Sequence, residues 1–115
     1  MTEERILETF KLAEEHGINT VFESGANFVA RYNKEYGGHM QIIPSINPAL
    51  DKSEAKLKAE ISQRVDTGAP AIYVWGVMGD QLTKQGRVDR IKQAVEWAKK
   101  HDIPVGVGSH SLQVP

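Results

Sequence analysis

The chain has 115 residues, of which 40% are hydrophobic and 25% charged, and its 14 basic and 15 acidic residues leave a net charge of −1. This composition indicates one globular domain over residues 1–115 and excludes disordered and collagen-like chains. Because the two signs of charge are interleaved we expect no nucleic-acid partner, and because cysteine is absent the chain has no disulfides, thiolate nucleophile or cysteine-ligated zinc.

Helices and strands alternate through the first half of the sequence. A helix is predicted over residues 3–16, where apolar residues recur at helical spacing, with Thr2 as its N-cap and Gly17 at its end. The β-branched segment INTVF predicts the first strand. A second helix over about 27–36 stops at a pair of glycines, and MQIIPSI predicts the second strand.

The alternation continues through the second half. Asp51 stands three residues before Glu54, close to a capping-box arrangement, and predicts a helix that ends before Gly68 and leads to the strand AIYVW. The clearest helical pattern covers about 84–100 and leads to the strand IPVGVG. Between them, the glycines and Asp80 of GVMGDQLTKQGRVD favour either a mobile loop over a site or a plain surface loop.

Four strands separated by helices predict an α/β fold with a parallel sheet. One candidate is half of a (β/α)8 barrel with four parallel strands; the alternative is a small open parallel-sheet domain. Each strand has one apolar and one mixed face, which favours a barrel, and because a barrel takes about 250 residues we expect the chain to continue beyond Pro115. Pro44 in the second strand favours an edge strand or a bulge.

The segments AEEHGINTVFES, YVWGVMGDQLTKQGRVDRI and KKHDIPVGVGSHSLQVP resemble bacterial TIM-barrel enzymes of the aldo-keto-reductase-like and aldolase-like kind. The resemblance covers almost the whole chain as a rhythm of strands and helices. It implies a barrel with its site at the carboxyl ends of the strands. Glu23 stands where aldo-keto reductases tend to place an aspartate, but their Tyr, Lys, His and Asp set has no residue-by-residue match in this sequence.

The residues that follow each strand are therefore the candidate site residues. Strand alternation predicts that Glu23, Asn47, Trp75 and His110 face the inside of the barrel. His110 and Glu23 are the candidate catalytic pair, because imidazole changes charge near neutral pH and a carboxylate can orient it or act as the base.

Substrate binding is assigned to polar, aromatic and glycine residues around this pair. An amide gives directional hydrogen bonds, an indole face packs against a sugar ring, and glycines let a ligand approach the backbone. The predicted set is Asn47, Trp75, Ser45, Ser109, Gly106 and Gly108. Each position also has a structural alternative, such as a helix cap for the glutamate, a turn for the asparagine or packing for the tryptophan.

The sequence leaves cofactors unidentified. Glu23 and His110 supply at most two ligands, so no metal site is predicted. The segment GVGS is typical of strand ends that bind phosphate, but as a dinucleotide motif it fails because Ser111 replaces the third glycine.

Three functions remain open at this stage. The preferred one is part of a barrel enzyme that acts on a small polar, carbohydrate-like molecule by acid/base lyase, isomerase or hydrolase chemistry, with the isolated chain inactive. The alternatives are an NADPH-dependent oxidoreductase of aldo-keto-reductase type and a non-catalytic small α/β module. We expect a cytoplasmic location, no membrane partner, and self-association through an exposed sheet edge.

Overall fold

The computed structural model describes residues 2–23 and 26–112, without the side chains of Glu23 and Ala26. In this part of the chain, helices and strands alternate as α1 (Glu3–Glu15), β1 (Thr20–Glu23), α2 (Ala26–Tyr36), β2 (Gln41–Ile46), α3 (Glu54–Asp66), β3 (Ile72–Val74), α4 (Gly76–Lys84), α5 (Val88–Lys99) and β4 (Val105–Val107). The four strands form a parallel sheet in the order β1-β2-β3-β4. The α/β fold predicted from the sequence is confirmed.

A helix, α4, occupies the segment in which the sequence favoured a loop. It covers Gly76–Lys84, and α5 begins at Val88 rather than near residue 84. Two glycines in α4 lower its intrinsic helix propensity, which is why the sequence pattern concealed it. Gly76 and Gly79 are buried together with Leu82, so packing of this face stabilises the helix where propensity does not.

Side-chain caps decide where two of the helices begin. Thr2 accepts a hydrogen bond from the backbone N–H of Arg5 at 3.3 Å, which confirms it as the N-cap of α1. The cap of α3 is Ser53, whose Oγ accepts from the N–H of Lys56 at 3.2 Å, and not the predicted Asp51. An N-cap oxygen must reach the N–H two or three residues on, and Asp51 lies two residues too early to cap a helix that begins at Glu54.

Pro44 lies inside β2, which is not an edge strand because it stands between β1 and β3 in the sheet order. Its pairing with β3 aligns Ser45 with Tyr73 and Ile46 with Val74. The missing amide donor of Pro44 therefore falls just before this paired segment.

The chain divides into two compact units, Met1–Ile43 and Pro44–Pro115. In the first unit Tyr32 is 2% exposed and its hydroxyl donates to Glu14 at 2.9 Å. The other oxygen of Glu14 accepts from the N–H of His39 at 2.8 Å, and these bonds, the backbone one foremost, lower the pKa of Glu14. The buried core of this unit consists of Leu7, Val29, Tyr32, Met40 and Ile42.

In the second unit, the helices cover one face of the strands. The buried core joins residues of α3 and α5 to alternate residues of β2 and β3: Ile46, Leu57, Ile61, Ala69, Ile72, Val74, Ala94 and Ala98. The other face carries Ser45, Tyr73 and Gly106, which are aligned by the strand register and remain partly or fully exposed. Burial therefore alternates along the strands, in agreement with the sequence pattern of one apolar and one mixed face per strand.

A buried arginine holds the segment that follows β2. Arg90 of α5 is 6% exposed, and its guanidinium donates to three backbone carbonyls, those of Pro48 at 3.3 Å, Ala49 at 3.3 Å and Lys52 at 2.7 Å. A guanidinium offers five donors in a fixed fork, so one side chain can satisfy several buried carbonyls. The turn after β2 is thereby attached to α5.

Replacing Arg90 with methionine should lower the free energy of unfolding by about 2–3 kcal/mol, because buried carbonyls lose charge-assisted hydrogen bonds. Urea unfolding followed by circular dichroism measures this change. The matched control is Arg87→Met, which removes only an exposed ion pair with Asp89 and should have little effect. Equal losses of unfolding free energy in the two variants would contradict this role of Arg90.

Candidate functional site

The parallel pairing of β3 with β4 brings the segment after β4 to the start of α4. The register aligns Tyr73 with Gly106 and Val74 with Val107. The ladder continues one residue beyond the strand, since the N–H of Gly108 donates to the carbonyl of Val74 at 2.8 Å. Residues 109–111 therefore leave the sheet beside the first turn of α4.

Two glycines allow the backbones to meet at this point. A Cβ atom on Gly108 would lie 3.0 Å from the backbone of Gly76 and 3.0 Å from the carbonyl oxygen of Val74. A Cβ on Gly76 would lie 3.2 Å from Cε1 of His110. Backbone atoms fill the space beside Gly108, so close packing alone explains why a glycine stands there. The predicted contact of Gly108 with a substrate stays a prediction.

The centre of the site is a pair formed by Asp80 and His110. One oxygen of Asp80 lies 2.8 Å from Nδ1 of His110, and the other accepts from the backbone N–H of His110 at 3.1 Å. The Asp80 side chain is 19% exposed, whereas that of His110 is 71% exposed. The carboxylate is thus held against the protein, and it holds an imidazole that solvent can reach.

These contacts favour the charged form of the carboxyl group. The backbone N–H of His110, then its imidazole, and to a smaller extent the Ser109 hydroxyl lower the pKa of Asp80, against an opposing effect of burial. An ionised carboxylate only accepts hydrogen bonds, so Nδ1 of a neutral His110 carries the proton. Nε2 is then unprotonated, and no described residue bonds to it.

Ser109 joins this cluster without a hydrogen bond to Nε2. Its hydroxyl lies 3.4 Å from Asp80 and within hydrogen-bonding distance of the carbonyl of Ser111, and it accepts from the N–H of Ser111 at 2.9 Å. Within the described residues the serine therefore shapes the turn that presents His110. A nucleophilic triad would instead need the serine hydroxyl on the histidine nitrogen that faces away from the carboxylate.

Asn47 and Trp75 follow neighbouring strands. The N–H of Trp75 donates to the carbonyl of Ile46 at 3.0 Å, and the half-buried Trp75 is the N-cap residue of α4. The backbone of Asn47 is held by Glu60 and Lys52, at 3.3 Å and 2.7 Å, and these two form an ion pair at 2.6 Å. The Oδ1 atom of Asn47 is buried with no hydrogen-bond partner in the described structure.

The remaining predicted residues are placed less directly. Ser45 and Gly106 both align with Tyr73, and the Cβ of Tyr73 would lie 3.6 Å from a Cβ on Gly106. Glu23 is the last residue of β1, but its side chain lies outside the described residues, so its predicted pairing with His110 stays a prediction.

Asp80 is the member of its pair with His110 that the sequence did not identify as a candidate site residue. The sequence pattern favours either a mobile loop over a site or a plain surface loop for this segment, whereas Asp80 lies on α4 and binds His110 directly. One signal was available: Asp80 is the sole carboxylate between Trp75 and Val88, in the segment that follows the strand next to β4. Parallel neighbours bring their carboxyl ends to the same edge of a sheet.

The described residues contain neither a metal-binding cluster nor a membrane-spanning helix. Over residues 2–23 and 26–112, no group of three or more histidine, aspartate or glutamate side chains is arranged to hold a metal ion. In the same ranges no helix has the length and apolar character needed to cross a membrane.

Comparison of the chain with protein-family models, with curated proteins and with solved structures gave no match.

Replacing Gly108 with alanine should separate the end of β4 from α4, because the new Cβ meets backbone atoms that cannot rotate away. We expect a loss of about 1–3 kcal/mol in the free energy of unfolding, the usual cost of overpacking. Gly106→Ala is the matched control, since its Cβ makes an ordinary contact with Tyr73. Chemical denaturation measures both, and a harmless Gly108→Ala would contradict the close approach.

The lowered pKa of Asp80 predicts a pH dependence of stability. Ionised Asp80 stabilises the fold fully above the ordinary aspartate pKa of about 4, and this contribution is lost as the pH falls through the lower pKa of the folded state. The difference in unfolding free energy between wild type and Asp80→Asn should therefore shrink with acidification. A difference that stays constant over this range would contradict the prediction.

Proposed function

We propose that this protein is an acid/base enzyme in which Nε2 of His110 exchanges a proton with a small polar substrate and Asp80 positions the imidazole. The observation that carries the proposal is the 2.8 Å contact between Asp80 and Nδ1 of a histidine whose ring is largely exposed.

The two nitrogens of the imidazole, Nδ1 and Nε2, lie in different surroundings, and the proposal depends on this difference. Asp80 binds Nδ1–H, which fixes the tautomer and the ring orientation, and its negative charge stabilises the imidazolium that forms when Nε2 accepts a proton. The same nitrogen can then return the proton as an acid. Lyase, isomerase and hydrolase reactions all use such a pair of transfers.

The position of Ser109 favours proton transfer over acyl transfer. Its hydroxyl is engaged with Asp80 and Ser111 and does not contact Nε2, so His110 has no serine to activate among the described residues. An enzyme that uses His110 alone would act directly on a proton of the substrate.

A carbohydrate-like substrate is supported by the residues at the neighbouring strand ends. Trp75 directly precedes Gly76, which packs close to His110. The indole of Trp75 provides a flat apolar surface of the kind on which sugar rings stack. Ser45 lies at the end of the adjoining strand and supplies a hydroxyl group for polar recognition, whereas Oδ1 of the following Asn47 is buried.

The strand order supports a barrel-like arrangement over a doubly wound sheet. An open doubly wound sheet reverses its strand order at a switch point, where its ligand binds. The order β1-β2-β3-β4 has no reversal, and consecutive right-handed crossovers in one direction place their helices on one face, as in a barrel. We accordingly place the substrate at the carboxyl ends of the strands, where His110 and Asp80 lie.

Incubation of the purified protein in D2O with a panel of aldoses and ketoses tests the chemistry, since proton transfer next to a carbonyl exchanges hydrogen for deuterium. We expect exchange by wild type, followed by proton NMR, and a decrease of about 10²–10⁴-fold in His110→Gln, because a general acid/base contributes that much. Asp80→Asn should also lower the rate, and its effect should depend on pH.

The control is His39→Gln, which changes an exposed histidine of the first unit and should leave exchange unaltered. A wild-type rate that survives in His110→Gln would exclude His110 as the acid/base. Nitrogen NMR of the imidazole gives an independent check, because the proposal requires the proton of neutral His110 on Nδ1. Finding it on Nε2 would contradict the proposal even without a known substrate.

A further inference from the structure

A second concave site lies between α3 and α5, away from the Asp80 and His110 pair. The cleft has a volume of about 270 Å³ and is lined by Lys58, Ile61, Ser62, Trp97, Lys100 and His101. His101 precedes β4 in the chain, whereas His110 follows it. The cleft therefore belongs to the helical layer and to the amino-terminal side of β4.

The side chains that line this cleft combine positive charge with an apolar floor. Lys58 and Lys100 carry ammonium groups, His101 carries an imidazole, and no carboxylate is among the lining residues. Trp97 is partly buried and packs against the core that contains the fully buried Ile61, so the indole supplies the accessible apolar surface. A concave surface lined by one sign of charge concentrates ions of the opposite sign.

Several donors in the cleft have no acceptor within the described structure. Lys100, His101 and Ser62 make no side-chain hydrogen bond or ion pair with another described residue. A lysine at the end of α5 interacts favourably with the helix dipole, which explains Lys99 and Lys100 as a pair. It does not explain why cationic side chains of two helices converge on one cavity.

Lys58 is oriented towards the indole of Trp97. Its Nζ lies 4.6 Å from the centre of the Trp97 ring, in the range of a cation–π contact. This contact holds the ammonium group beside an aromatic surface and leaves its hydrogen-bond donors available to an anion. An aromatic anion would find stacking and charge together there.

We propose that this cleft binds a small organic anion, with its phosphate or carboxylate group on Lys58 and Lys100 and its planar apolar part against Trp97. A volume of about 270 Å³, just below the usual range of ligand pockets, suits a single-ring compound better than a dinucleotide. The proposal is independent of the acid/base function of His110.

Titration of the ¹⁵N-labelled protein with phenyl phosphate, benzoate and phenol tests the proposal by NMR. The two anions present the same ring with different charged groups, and phenol presents the ring without the anion. We expect saturable shifts of the Trp97 indole N–H and of the amides of Ser62 and Lys100 with at least one anion, and weaker binding of phenol. The tighter of the two anions identifies the preferred charged group.

Lys58→Gln and Lys100→Gln should each weaken anion binding about tenfold, through loss of a charge-assisted hydrogen bond. Lys99→Gln is the matched control, since it removes the same charge from the neighbouring exposed residue and should leave binding unchanged. The proposal would be overturned by equal losses of affinity in Lys99→Gln and Lys100→Gln, by phenol binding as tightly as the anions, or by a lack of saturation with either anion. Shifts confined to Asp80 and His110 would overturn it as well, because they would place the anion at the other site.

Discussion

The parallel pairing of β3 with β4 is the constraint on which the candidate site depends. A parallel ladder fixes which residue of one strand lies beside which residue of the next, and here it continues to Gly108, whose N–H reaches the carbonyl of Val74. One residue later the chain leaves the sheet beside α4. The 2.8 Å contact between Asp80 and His110 follows from this register together with the turn that Ser109 forms.

The two glycines at this junction show how backbone packing and chemistry are linked. Gly108 and Gly76 approach so closely that a side chain on Gly108 would push the strand end away from the helix. Because neither glycine has a side chain, His110 comes within reach of Asp80 and its imidazole covers Gly76. The carboxylate, held by a backbone N–H and an imidazole at once, is ionised, and its charge fixes the proton on Nδ1.

A buried arginine and two lysines of the second unit use their hydrogen-bond donors differently. Arg90 is buried and uses its donors on the carbonyls of the turn after β2, so its function is to hold the backbone. Lys58 and Lys100 line a cleft, and Lys100 has no carboxylate partner in the described residues. Cations with satisfied donors stabilise a fold, whereas cations with unsatisfied donors around a cavity are available to a ligand.

The sequence by itself determined the α/β class, the four strands and most helix ends, because those depend on local patterns: apolar spacing, the Thr2 cap and the glycine after α1. It placed His110 just after a strand for the same reason. It failed for α4, whose glycines oppose a helix in isolation and which forms because Gly76, Gly79 and Leu82 are buried. Only the tertiary structure decided that Asp80 is the partner of His110, since residues thirty positions apart meet through strand register and not through any local pattern.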